Sequence, residues 1–383
     1  MSENKLKVLQ INKLYAPDIG GVERVAQQIA EGLAEQTQMQ VLVCQKKGER
    51  KEEKVNGIPV TRSKTLGTKF SMPISFGFFR DLRRLCKNQD LLLLHMPFPL
   101  GDLAYLFSGY KGKTAVWWHA DVVRQKKLMF FYRPIMNAFL RRVDRIFVAT
   151  QGHIEGSAYL GPYREKCRVV PFGLNVEEYT RDTAKTSPLA EQGQEGTVKF
   201  LFVGRLVYYK GVDVLLRAFE KVQSAELFIV GGGPLRSELE AEARRMGREG
   251  AVHFLSGLSD AQLKACYRDC DVFVLPSVAR SEAFGLVQLE AMAFGRPVIN
   301  TNLPSGVPYV SLHGKTGLTV PPEDAQALAD AMRTLAEDAG LRERYGKAGY
   351  ERVCTEFSER HMMKLLMEQM RQLAGEEATE RAE

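Results

Sequence analysis

Paired cysteines are missing from this chain. Its six Cys (Cys44, Cys86, Cys167, Cys266, Cys270 and Cys354) are scattered through 383 residues, and none forms a C-x-x-C pair. A disulfide scaffold is therefore excluded. Cys266 and Cys270 lie four apart on a predicted helix, but no histidine or second cysteine pair stands nearby to complete a metal site, so they read as reduced core thiols. Long apolar runs are missing too. Nothing reaches the roughly 18–20 residues that a membrane-spanning helix needs. The first residues, MSENKLKVLQIN, lack the apolar stretch and the small-residue cleavage site of a secretion signal. There is no H-E-x-x-H, no D-x-D at the carboxyl end of a strand and no nucleophile elbow, so no metal is expected and hydrolytic chemistry loses ground. Without a recognisable nucleic-acid module or an aromatic–glycine RNA signature, no nucleic-acid partner is expected either. A cytoplasmic location is expected.

What is present is an ordinary globular composition, 45% hydrophobic and 26% charged, long enough for about two domains. The net charge of +7 is unevenly divided. Residues 1–180 hold 28 Lys and Arg against 17 Asp and Glu, whereas the remainder holds 25 against 29. The excess concentrates in DLRRLCK, RQKKLMFFYRP and FLRRVDR, where basic residues interleave with Leu128, Phe130, Phe131 and Tyr132. That pattern suits an anionic membrane face, and predicts peripheral attachment on the inner side of the cytoplasmic membrane through the basic N-terminal domain.

Short, nearly continuous apolar runs alternate with amphipathic segments. They include Lys7–Ile11, Val41–Cys44, Leu91–Leu94, Thr114–Trp118 and Arg145–Ala149. After a polar stretch at 180–196 the pattern restarts with Lys199–Val203 and continues through Leu227–Val230, Val252–Leu255, Val272–Leu275 and Pro297–Asn300. Such runs imply parallel strands buried on both faces. The fold class expected is α/β: two facing, doubly wound Rossmann-like domains with a cleft between them. They are placed at 1–180 and 181–357, and a last helix within 358–383 packs back on the first domain.

Ligands of open parallel sheets sit beyond the carboxyl ends of the strands, and four motifs fall there. PSVARSEAFGLVQLEAMAFGRPVIN carries Glu282 before a helix predicted over Phe284–Phe294, with Gly285 and Leu286 in its first turn and Glu290 within it. Free amides of the segment Ala283, Phe284, Gly285 and Leu286 would suit a diphosphate, with Glu290 set for ribose hydroxyls and Glu282 for a sugar hydroxyl. FVGRLVYYKGVDVLL places Arg205 and Lys210 after a strand, two cations fit to neutralise a departing diphosphate. NKLYAPDIGGVERV puts Gly20 and Gly21 at a helix start, where backbone can approach a phosphate closely. VWWHAD ends a strand with His119, an active-site candidate, and Asp121. Gly231-Gly232-Gly233-Pro234 reads mainly as a tight turn and helix start.

With these motifs in one order, the chain resembles the retaining glycosyltransferases of the two-Rossmann-domain (GT-B) type, family four. The segments PDIGGVERV, WWHAD, GRLVYYKG, GGGPL, SEAFGLVQLEAMAFGRPVI and HGKTGLTVPP carry the resemblance. It implies a nucleoside-diphosphate-sugar donor, no other cofactor and no metal. Arg205 and Lys210 would hold the diphosphate and Glu290 the ribose. Glu282 and the backbone of Ala283–Leu286 would hold sugar and phosphates, with Gly20 and Gly21 facing them and His119 near the sugar. Where many members carry G-G-x-P-E, this chain has Tyr309 in the Glu position. With the WHADVVRQK run, that feature resembles bacterial mannosyl- and rhamnosyltransferases of surface polysaccharide assembly. A hexose, mannose from GDP-mannose, moving to a lipid-linked or glycan acceptor is the expected reaction, and Asp121 is expected near that acceptor. The alternatives are a UDP-sugar-dependent transferase of the same fold and a non-catalytic nucleotide-sugar-binding scaffold.

Overall fold

A computed structural model of the chain describes residues 5–18, 20–69, 72–121, 126–248 and 250–375. Eight of its described strands form one sheet: β1 (Leu6–Ile11), β2 (Thr37–Cys44), β3 (Lys51–Val55), β4 (Ile58–Ser63), β7 (Leu91–Met96), β8 (Lys113–Trp118), β9 (Arg145–Val148) and β10 (Cys167–Val169). A small hairpin, β5 (Gly67–Lys69) with β6 (Met72–Ile74), stands apart from it. A six-stranded sheet follows, made of β11 (Val198–Val203), β12 (Ala225–Val230), β13 (Val252–Leu255), β14 (Val272–Leu275), β15 (Val298–Thr301) and β16 (Gly317–Val320). The central strands β7, β12 and β14 are buried along their whole length, as their unbroken apolar runs demand.

The strand orders locate the crevices. The first sheet runs β10-β9-β8-β7-β1-β2-β4-β3 and the second β13-β12-β11-β14-β15-β16. Each reverses its winding once, between β1 and β7 and between β11 and β14, and the carboxyl ends of those pairs are the switch points where α/β sheets bind ligands. Both sheets are parallel except at one edge. There β3 pairs antiparallel with β4 through a turn at Asn56 (φ 49°) and Gly57 (φ 83°). The Asn-Gly pair is a hairpin signal, but the charged KEEKV of β3 hid the strand from a reading based on apolar runs.

The chain divides into two compact units. One comprises the residues up to Ala149, Ser157–Val170 and the residues from Met362 onward; the other comprises Thr150–Gly156 and Pro171–His361. The main crossing precedes the expected residue 180 because the segment after β10 packs in the second unit. Leu174 donates its amide to the Phe357 carbonyl at 2.7 Å, and the Tyr179 ring lies 6.0 Å from that of Phe294. The final helix, Glu359–Ala374, buries Met362, Met363, Leu366, Met367, Met370 and Leu373. Arg145 of β9 donates to Gln369 on that helix at 2.7 Å. The end of the expected tail, 376–383, lies outside the described residues.

Candidate functional site

In the second unit, the loops after the neighbouring strands β11 and β14 meet. The loop after β11 ends in Gly211, whose φ of 66° is left-handed. A Cβ there would stand 2.1 Å from the Pro276 carbonyl oxygen, and Val278 donates its amide to the Tyr209 carbonyl at 2.9 Å. Only glycine lets the two loops come this close. The approach puts Lys210 Nζ 2.5 Å from Glu282 Oε2 and 5.8 Å from the centre of the Tyr209 ring. Ser277 adds a hydroxyl donor to the same carboxylate oxygen at 3.1 Å. Both charged side chains are 11% exposed, so each compensates the other's loss of water. Arg205, two residues past the strand end, is exposed beside them in sequence.

The helix expected over Phe284–Phe294 is shorter, Leu286–Ala293. Gly285 precedes its first turn as a left-handed N-cap (φ 75°), which breaks helical geometry there and moves Phe284 and Gly285 out of the helix. Phe284 is buried against Phe172, with ring centres 4.9 Å apart, and the Ala283 carbonyl accepts from the Gly306 amide at 2.7 Å. Glu290 is half-buried on the helix and accepts a hydrogen bond from the Tyr267 hydroxyl at 2.8 Å. Burial, and then the Glu290 charge, push the Tyr267 pKa well up, so the phenol keeps its proton. Tyr309 stacks its ring against Arg352 at 5.3 Å and edge-on to Phe357 at 6.0 Å. The triple-glycine loop closes the wall: a Cβ at Gly231 (φ 148°) would lie 1.9 Å from the Gly204 oxygen, and Leu206 donates to the Gly232 carbonyl at 2.9 Å.

The first unit holds the remaining candidates. Gly20 is the extended N-cap of the helix Gly21–Gly32, and a Cβ on Gly21 would meet nothing within 4 Å. His119 is buried at the carboxyl end of β8. Asp121, expected near an acceptor, has its carboxylate engaged inside the unit. It accepts from Trp118 Nε1 at 3.0 Å, Ser157 Oγ at 2.7 Å and the Ala158 amide at 2.8 Å. Tyr132 also departs from its expected place on a membrane-facing surface. It is buried and donates its hydroxyl to Asp102 Oδ2, whose carboxyl burial pushes well above the usual range. Phe130 and Phe131 do face outward, 77% and 75% exposed. The side chain of Leu128 and residues 122–125 of the WHADVVRQK run lie outside the described residues.

Sequence reasoning thus missed Ser277, Gly211 and Tyr267. The first two stand inside quoted motifs without a role, and Tyr267 is marked by nothing short of the fold. Among the described residues, no group of three or more His, Cys, Asp or Glu could hold a metal ion, and no helix is long and apolar enough to cross a membrane.

The chain is similar to known proteins. Residues 20–173 match the family described as a glycosyl transferase 4-like domain, and residues 187–352 that described as glycosyl transferases group 1. The chain is 33% identical over 360 residues to the O-antigen chain mannosyltransferase C of Escherichia coli, covering 94% of this chain and 96% of that protein. It is 34% identical over 346 residues to the D-rhamnosyltransferase WbpZ of Pseudomonas aeruginosa, covering 89% and 90%. Among solved structures, sucrose-phosphate synthase from Thermosynechococcus elongatus superposes with a TM-score of 0.77 at 20% identity, covering 96% of this chain and 99% of that one. Alr3699/HepE of Anabaena, solved with UDP, gives 0.77 at 20% identity, covering 96% and 100%.

Proposed function

The chain belongs to the glycosyltransferase family built from a glycosyl transferase 4-like and a group 1 domain, and from that premise we propose that it transfers mannose from GDP-mannose to a lipid-linked or oligosaccharide acceptor in surface polysaccharide assembly, with retention and without a metal. Its architecture is that of the two-Rossmann-domain (GT-B) enzymes. The observation that carries the reading is the Lys210–Glu282 pair at the β11/β14 switch point, supported by the mannosyl- and rhamnosyltransferases among its relatives.

The chemistry needs little more than placed charge. As the anomeric C–O bond breaks, the sugar becomes oxocarbenium-like and the nucleoside diphosphate gains negative charge. Lys210 and Arg205, with the amides of Ala283–Leu286, meet that charge where it grows, which is the largest catalytic term such a site can supply. Glu282 orients Lys210 and accepts from a sugar hydroxyl, and Glu290, steadied by Tyr267, accepts from the ribose. The acceptor hydroxyl attacks the anomeric carbon on the face the phosphate leaves, and its proton passes to the departing phosphate oxygen. His119 and the Gly20-Gly21 backbone are the first unit's own candidates for substrate contact.

Membrane attachment belongs to the same reading. Phe130 and Phe131 project from the helix Lys126–Arg142, which carries Arg133, Arg141 and Arg142, and Phe76 is likewise 77% exposed. Apolar rings in a basic surround suit the headgroup region of an anionic bilayer.

A donor screen tests the transfer. GDP release from GDP-mannose in the presence of lipid-linked acceptors, undiminished by EDTA, is the expected result. Release only from UDP-sugars would move the assignment to that donor class, and tight donor binding with no release from any sugar nucleotide would make the protein a scaffold.

A further inference from the structure

Beside the first unit's switch point, at the carboxyl ends of β7 and β8, stands a pair of histidines of which the motifs mark only His119. β7 and β8 pair in a register that sets His95 opposite Trp117 and Met96 opposite Trp118. Strand alternation then returns His119 to the face of Trp117, and the His119 amide continues the ladder by donating to the Met96 carbonyl at 3.0 Å. The three rings lie close to parallel. Those of His95 and His119 are 5.1 Å apart and inclined at 19°, and the Trp117 ring lies 6.4 Å from the first and 6.2 Å from the second. The two histidines meet edge to edge, with His95 Nδ1 2.8 Å from His119 Nε2. The other nitrogen of His95, Nε2, is buried without a hydrogen-bond partner.

A contact between two imidazole nitrogens holds one proton, and the burial of His95 decides whose it is. Were His95 protonated at Nε2, that N–H would be a donor sealed from water with no acceptor, the rarest and costliest kind of orphan. Protonated at Nδ1, it leaves only a lone pair unmatched and aims its N–H at His119. Protonation of both nitrogens is opposed by the same burial, which pushes the His95 pKa down to about 3. We infer that His95 is a positioning residue that donates Nδ1–H to His119 Nε2 and so fixes His119 as its Nδ1–H tautomer.

The consequence for catalysis rests on the proposed function. A His119 held this way is neutral and carries its one proton on Nδ1. Its Nε2 is occupied and cannot take the acceptor's proton, which leaves the departing phosphate to do so.

Long-range proton–nitrogen correlation spectra of the full chain, labelled with nitrogen-15 in its six histidines, test the inference. The His119 signals are assigned by their loss in His119→Gln. Wild-type protein should show His119 protonated at Nδ1 and bare at Nε2. His95→Phe, which removes the donor, should shift His119 toward the Nε2–H form. His95→Asn, whose amide nitrogen stands near the place of Nδ1, should preserve the wild-type pattern. In turnover of GDP-mannose, His95→Phe should lower kcat roughly tenfold or more with KM unchanged, and His95→Asn should recover most of it. A wild-type His119 carrying its proton on Nε2 overturns the inference, even if His95→Phe fails to fold, and so does a folded His95→Phe with an unshifted His119. These spectra need no substrate, so they stand apart from success or failure of the donor screen.

Discussion

Lys210 and Glu282 approach to 2.5 Å although they follow different strands and stand in separate loops. Removing one partner of a pair this buried leaves a charge without compensation, at a cost of about 3 kcal/mol or more. Glu282→Ala should therefore destabilise the protein by that order in urea unfolding. Lys210→Ala combined with Glu282→Ala should cost less than the two single changes added. In turnover, each single change should lose roughly 10²–10³-fold, and the double variant should lose little beyond the worse of them. Additive losses in both assays would mean the pair does not act as a unit.

Gly211 tests the loop contact that brings the pair together. Alanine there must adopt a φ of 66° and place its Cβ 2.1 Å from the Pro276 carbonyl oxygen. We expect Gly211→Ala to lower stability by about 1–3 kcal/mol from backbone strain alone, with donor affinity falling alongside. A variant of wild-type thermal midpoint would show that the two loops need not be so close.

For the membrane surface, the variant is Phe130→Ser with Phe131→Ser. Each ring buried in a bilayer contributes roughly 1.5–3 kcal/mol, so vesicle partitioning should weaken at least about tenfold. Wild-type protein should pellet with vesicles containing phosphatidylglycerol, less so as salt is raised. Equal pelleting with neutral phosphatidylcholine vesicles would count against the electrostatic part, and an unchanged double variant against the aromatic part.

Glu226 governs a pH response away from the crevice. Burial works to raise its pKa, but hydrogen bonds from Thr197 Oγ1 and the Gln194 amide, each 2.7 Å, and from His253 at 3.0 Å outweigh it and hold the carboxylate below its usual range. A depressed folded-state pKa contributes stability that is present above the unfolded value and is lost as pH falls through the folded one. Wild type should thus be more stable than Glu226→Gln near neutral pH, with the gap closing below about pH 4. A gap independent of pH would assign the effect to packing.

Much of the fold, and the meeting of Lys210 with Glu282 in the candidate site, were legible because they rest on local signals. Runs such as Leu91–Leu94 mark strands buried on both faces, and the Gly-bearing loops announce where the backbone turns. Glu282 and Lys210 stand out because they follow strand ends. Hidden from the sequence were pairings that only strand order creates: Tyr267 with Glu290, Tyr132 with Asp102, and His95 with His119. An aromatic in a basic run reads as surface, yet a buried carboxyl on the neighbouring helix draws Tyr132 inward. Gly285 reads as part of a helix by position, and only its left-handed backbone shows that the helix begins after it.

The placement of the residues from Met362 onward with the first unit has a practical corollary for dissecting the enzyme. No single cut yields two self-sufficient halves. A fragment ending near Val170 would leave bare the flank that Met363 covers at Gly32 and Gln369 binds at Arg145. Expressing that half alone calls for grafting the terminal helix onto it through a linker.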